Sequence, residues 1–116
     1  MTTDDKSLGD LIAVVCTKDR PERVSDFVQN LIRACVPPRK IVLVDSTTNP
    51  SWTDRNRQSL GLLERHGWEP HYISDTPGLP HQRNTALKFI ALNFPSTKYV
   101  SFLDDDVFIG GQYFEN

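Results

Sequence analysis

The 116 residues suffice for one domain of ordinary size, and an apolar fraction of 38% supports a packed core and argues against disorder. A net charge of −2 carries no electrostatic footprint for nucleic acid, and no apolar run approaches the roughly 20 residues needed to cross a bilayer. The two cysteines, Cys16 and Cys35, lack the spacing of a zinc site or a disulfide framework. Both sit in apolar surroundings and read as free thiols, which suits a reducing cytoplasm. Residues 1–10 form a polar N-terminal extension without the basic-then-apolar layout of a signal peptide. The folded domain is expected over residues 11–116.

In chain order, residues 11–16 (Leu-Ile-Ala-Val-Val-Cys) form a continuous apolar run, the pattern of a strand buried on both faces. A polar loop, residues 17–20, follows, and Pro21 suits the first turn of a helix. Val24, Phe27, Val28, Leu31, Ile32 and Cys35 recur at spacings of three and four, which marks one helical face; Pro37 and Pro38 end it. Residues 41–44 predict a second buried strand ending in Asp45. Ser51 or Thr53 would cap the next helix, which runs to about His66 with Leu60, Leu62 and Leu63 inward. Gly67 is placed as its C-terminal residue. Residues 68–74 predict a third strand. A helix over residues 81–93 turns Ala86, Leu87, Ile90, Ala91 and Phe94 inward. Pro95 and Ser96 break the chain before a fourth strand at Tyr99.

Alternation of strand and helix predicts an α/β domain: a parallel, Rossmann-like sheet of about four strands flanked by helices. Right-handed crossovers bring all four strand exits to one edge, and ligands of such sheets bind outside the carboxyl ends of the strands. Those ends carry residues 17–20, Asp45, Asp75 and the run Asp104, Asp105, Asp106. The polar residues therefore follow the strands, which points to a binding edge. Lys18 and Arg20 on this edge would attract phosphate, or else form a solvated loop.

The acidic run is the sharpest signal. Three adjacent carboxylates repel one another and are costly to bury without a counter-ion. Clustered hard oxygen donors suit Mg²⁺ or Mn²⁺, which can in turn hold phosphates. An acidic turn facing water is the alternative. His66, His71 and His81 have no metal-ligand spacing among themselves.

Four segments coincide in order: Val-Val-Cys-Thr-Lys-Asp-Arg-Pro, Ile-Val-Leu-Val-Asp-Ser, Gly-Leu-Pro-His-Gln-Arg-Asn and Phe-Leu-Asp-Asp-Asp-Val. Together they resemble the nucleotide-binding half of GT-A-type glycosyltransferases of family 2, from about Leu11 to the C-terminus. The resemblance implies that Thr17 lines the base or ribose pocket and that Asp45 accepts from the base. It places Arg83 toward the diphosphate or base, with Asn84 fixing its loop. Gly78 permits a tight turn or a close backbone approach. In the DXD match, Asp106 would ligate the metal, Asp104 would touch ribose or a metal-bound water, and Asp105 is the intervening residue. A divalent ion would bridge the two phosphates of a nucleoside-diphosphate sugar and stabilise the charge on the departing nucleoside diphosphate. Local alternatives stay open at each position: a capping hydroxyl for Thr17, a turn residue for Asp45 and an exposed helix arginine for Arg83.

The pattern departs from the family in two respects. The chain ends soon after the DXD motif, so the acceptor-binding half and the general base are expected to be absent. Gly110 stands where the family commonly has proline. An incomplete domain would expose apolar surface, which implies a homo-oligomer or a partner half. Two other functions fit less of the sequence. Asp104 and Asp106 also resemble the nucleophile motif of haloacid-dehalogenase-type phosphatases, though that motif follows the first strand of its core. A truncated, non-catalytic binding module is the other. A dinucleotide-binding role lacks a GxGxxG after any strand.

Overall fold

The computed structural model describes residues 11–33 and 40–104, the last of these by its backbone alone. Residues 1–10, Cys35, Pro37, Pro38, Asp105, Asp106 and Gly110 lie outside the described residues, and so do the readings placed on them. Seven elements alternate: β1 (Leu11–Thr17), α1 (Pro21–Arg33), β2 (Lys40–Asp45), α2 (Pro50–Arg65), β3 (Glu69–Ser74), α3 (Leu79–Asn93) and β4 (Tyr99–Asp104). All strand pairs are parallel, in the order β3-β2-β1-β4. This is the expected Rossmann-like sheet, with every carboxyl end at one edge.

The order has a physical consequence. The first two crossovers step outward from β1 to β3, and the third returns to place β4 on the other side of β1. Right-handed crossovers then put α1 and α2 on one face and α3 on the other. The core divides accordingly. Ala13, Val15, Ile41, Leu43 and Leu103 meet Val24, Phe27, Val28 and Leu31 of α1 and Leu60 and Leu63 of α2. Ile12, Val14, Val42 and Val44 meet Ala86 and Ile90 of α3. The alternation along β1 explains why its sequence is apolar without interruption: both faces are covered.

The helix ends correct three expectations. The cap of α2 is Asn49, not Ser51 or Thr53. Its Oδ1 accepts from Ser51 N at 3.0 Å and Trp52 N at 3.4 Å, and Pro50 opens the helix. Asparagine at this place satisfies two amides that have no intrahelical partner. Helix α3 begins at Leu79 rather than His81, because Pro80 fits the first turn, where its missing N–H costs nothing. Its buried stripe is Gln82, Ala86 and Ile90, spaced four apart, so Leu87 (42% exposed) and Ala91 face outward. At the other end of α2, Gly67 does terminate the helix, at φ 91. Trp68 N bonds Leu63 O there at 3.1 Å.

Leu63 is fully buried and Leu92 is 83% exposed. Leu63→Ala should therefore cost about 2–5 kcal/mol in urea unfolding, while Leu92→Ala should change stability by no more than about 0.5 kcal/mol.

Candidate functional site: the carboxyl edge of the sheet

The edge is built around a buried carboxylate. Asp45 ends β2 with no solvent exposure. Its Oδ1 accepts from Thr47 N at 2.9 Å, and its Oδ2 accepts from Asn56 Nδ2 at 2.9 Å and from Tyr72 Oη at 2.7 Å. A buried charge is tolerable only with such donors. These bonds join the loop after β2, the second turn of α2 and β3 to one group. Asn56 is itself fully buried, and its Oδ1 has no hydrogen-bond partner. Arg57 completes the stack, with its guanidinium 4.4 Å from the centre of the Tyr72 ring. Burial, together with the hydrogen bond to Asp45 and the Asp45 charge, pushes the Tyr72 phenol up to about 12.

The loops above β1 and β2 are tied to each other. Ser46 N donates to Thr17 O at 3.0 Å, and Asp19 N donates to Thr47 Oγ1 at 2.7 Å. Asp19 holds a left-handed conformation, φ 55, which its short polar side chain tolerates. Asp75 N donates to Asp45 O at 3.0 Å, continuing the register past β3. The Asp75 carboxyl is held below the ordinary carboxylate range, first by the Thr85 hydroxyl, then by the Thr76 N–H and His81. Its Oδ1 takes the Thr76 N–H at 2.8 Å and faces His81 Nε2 at 3.0 Å. Its Oδ2 is buried and accepts no aligned hydrogen bond.

A cleft of about 710 Å³ opens beside the ends of β2 and β3. Loop residues 46–48, Thr53, Asp54 and Arg57 of α2, and residues 74–77 line it. Among the described residues, none of those given a role toward nucleotide or metal lines this cleft, although Asp45 immediately precedes the loop that does.

The residues assigned from the sequence are distributed as follows. Thr17 is buried at the end of β1, paired in register with Asp45. Arg20 is exposed on the loop before α1. Asp104 ends β4 in register with Cys16, directly beside the end of β1. Gly78 precedes α3 at φ 129, and a Cβ there would meet nothing nearer than His81 Cβ at 3.8 Å. Glycine is thus required by the backbone conformation rather than by a close approach. Arg83 and Asn84 are exposed on the first turns of α3. The Arg83 guanidinium lies 5.2 Å from the centre of the Phe102 ring on β4. The backbone thus brings Thr17, Asp45, Gly78 and Asp104 to one edge. Among the described residues, no group of three or more His, Cys, Asp or Glu side chains is placed to hold a metal. Cys16 is in no disulfide and is partly rather than fully buried.

Sequence reasoning missed Asn56, Tyr72, Thr47 and Gln82. Two of them left a signal. Asn56 lies on the stripe with Leu60 and Leu63, and Gln82 on the stripe with Ala86 and Ile90. A polar residue at a core position of a helix must find a buried partner.

No family model matches the sequence, and no curated protein matches it. Among solved structures, residues 1–349 of S. aureus TarS, a glycosyltransferase, share the fold with a TM-score of 0.62 and 21% identity. The match covers 90% of this chain and 30% of that one, so the chain spans about a third of that neighbour's length. The likeness shows a shared α/β fold, a parallel four-stranded sheet flanked by three helices. No helix among the described residues is long and apolar enough to cross a membrane.

Tyr72→Phe removes one of two side-chain donors to buried Asp45 and should cost about 1–3 kcal/mol. The same hydroxyl makes stability pH-dependent. Unfolded, the phenol ionises near 10.0; folded, it keeps its proton to about 12. The folded state binds more protons in that window, so stability falls as pH rises through it. Absorbance titration at 295 nm of the native protein should show a late tyrosine that Tyr72→Phe lacks.

Proposed function

We propose that this chain is the donor-binding portion of a glycosyltransferase, holding a nucleoside-diphosphate sugar at the carboxyl edge of the sheet. The observation that carries the reading is the position of β4. The third crossover sets β4 beside β1, so the acidic run opens at the point where the strand order reverses, next to Thr17. Crevices of this kind are where open parallel sheets bind ligands. The likeness of fold to a glycosyltransferase supports the same reading.

In this reading the nucleotide lies across the ends of β1 and β2. Thr17 and the loop after β1, with Arg20, flank the base and ribose. Asp45 serves the base side through the loop it anchors, since its carboxylate is buried under Thr47, Asn56 and Tyr72. Arg83 reaches the diphosphate by leaving the Phe102 ring, and Asn84 steadies that turn. The residues fit a hard divalent ion: three successive carboxylates begin where β4 ends, and carboxylate oxygen is the donor that Mg²⁺ and Mn²⁺ prefer. Asp106 and Asp104 would hold it, with Asp105 between them. When bound, the ion supplies Lewis-acid stabilisation of the leaving diphosphate. No general base is assigned among the described residues, and the free edge of β4 is where an acceptor-binding part would pack. That strand's outer edge is unpaired among the described residues, and its Tyr99 (61% exposed) and Phe102 (38%) are open. A cytoplasmic setting, with Cys16 reduced, completes the reading.

Calorimetric titration of UDP, GDP and dTDP, each with Mn²⁺ and with EDTA, tests it. One nucleotide should bind with Mn²⁺, and Asp106→Asn should weaken it at least about tenfold, as expected when a charged contact to a bound ion is lost. Binding that ignores both EDTA and Asp106→Asn would refute the metal assignment. No binding of any nucleotide by the folded chain would refute the donor site.

A further inference from the structure

Three consecutive side chains near the start of α3 reach the ends of β1 and β2, the residue just past β3, and β4. His81 Nε2 faces Asp75 Oδ1, just past β3, at 3.0 Å. The Arg83 guanidinium stacks over Phe102 of β4. Between them, Gln82 is 5% exposed, and its Nε2 donates to Thr17 O at 3.2 Å and to Val44 O at 3.1 Å. Those carbonyls belong to the ends of β1 and β2. Thr17 O also receives Ser46 N, so one oxygen joins β1, the loop after β2 and α3. Gln82 N is bonded in turn to Gly78 O at 2.9 Å, which fixes the residue to the start of the helix.

A primary amide suits this place because it offers two N–H donors in one plane. Both are used on backbone carbonyls at the strand ends, which would otherwise be buried without full satisfaction. Gln82 lies beside Arg83 in the chain but is itself buried. It therefore acts on the edge through the backbone it holds, and not by touching a ligand.

We propose that Gln82 is the positioning residue of this edge: its two hydrogen bonds hold the end of β1, the end of β2 and the Arg83 turn of α3 in one fixed register before any ligand arrives. Preorganisation of this kind raises affinity by removing the ordering cost at binding. Its functional readout rests on the nucleotide-binding reading; its structural readout does not.

The test uses Gln82→Met, which keeps the volume and removes both donors, and Gln82→Glu, which turns a carboxylate toward two carbonyl oxygens. Both are read beside the unaltered chain by titration of UDP, GDP and dTDP, each with Mn²⁺, and by amide hydrogen exchange. The folded Met variant should bind whichever of the three the unaltered chain binds about tenfold more weakly, and the Glu variant more weakly still. The amides of Asp19 and Ser46 should exchange about tenfold faster, with those in the centre of the β1–β2 ladder unchanged. Unaltered affinity for that nucleotide in the folded Met variant overturns the proposal. So does acceleration spread evenly over the sheet, which would mark a merely structural role. If the unaltered chain binds no nucleotide, the donor reading fails, and exchange at Asp19 and Ser46 alone decides Gln82: faster exchange confined to these loops supports it, and unchanged exchange refutes it. If the Met variant does not fold, the Glu variant carries the same comparison.

Discussion

A carboxylate buried at the end of a strand must be satisfied from inside the protein, and the satisfaction of Asp45 organises everything around it. Its two oxygens collect a backbone amide from the next loop, an amide side chain from α2 and a phenol from β3. Each donor comes from a different element. Losing one would leave a buried charge under-bonded, which costs more than the bond itself contributes. The loop above β2 is therefore held by the core, although it lines the open cleft at the carboxyl edge. The Arg57 guanidinium depends on the same arrangement, since it rests on a ring whose hydroxyl is already committed.

The opposite face contributes a second constraint through α3. This helix buries the stripe Gln82, Ala86 and Ile90 against β1 and β2, with Phe89 packed beside it. Leu79, Leu87 and Leu92 remain exposed. Polar contacts at its N-terminal turns add to that packing. There three successive residues meet Asp75 just past β3, the ends of β1 and β2, and Phe102 of β4. Asp45 from below and Gln82 from the α3 side thus grip the same strand ends. The result is a carboxyl edge of the sheet whose loops are set by buried hydrogen bonds.

Much of the fold is legible in the chain itself. Residues 11–16 and 41–44 are apolar without alternation because both faces of those strands are covered, and this pattern alone points to a parallel sheet. The helical face of α1 is equally plain, as Val24, Phe27, Val28 and Leu31 are all buried. Helix α3 is harder to read. Apolar residues surround it almost completely, so periodicity alone has no preferred face, and it points Leu87 and Ala91 inward where Gln82 belongs. The cap of α2 escapes for a related reason. Asn49, Ser51 and Thr53 are all plausible caps by type, and only the backbone turn before Pro50 selects among them.

The sequence by itself determined the element order, the parallel sheet and the gathering of Thr17, Asp45 and Asp104 at one edge. Those follow from local periodicity and from the handedness of crossovers, which act along the chain. Only the tertiary structure decided what those residues meet. It turned Asp45 inward to Asn56 and Tyr72, set Arg83 over Phe102 and gave Gln82 two carbonyls from different strands. Such pairings join residues up to 65 positions apart. They are chosen by the way buried polar groups satisfy one another once the layers have packed, and no local pattern encodes that choice.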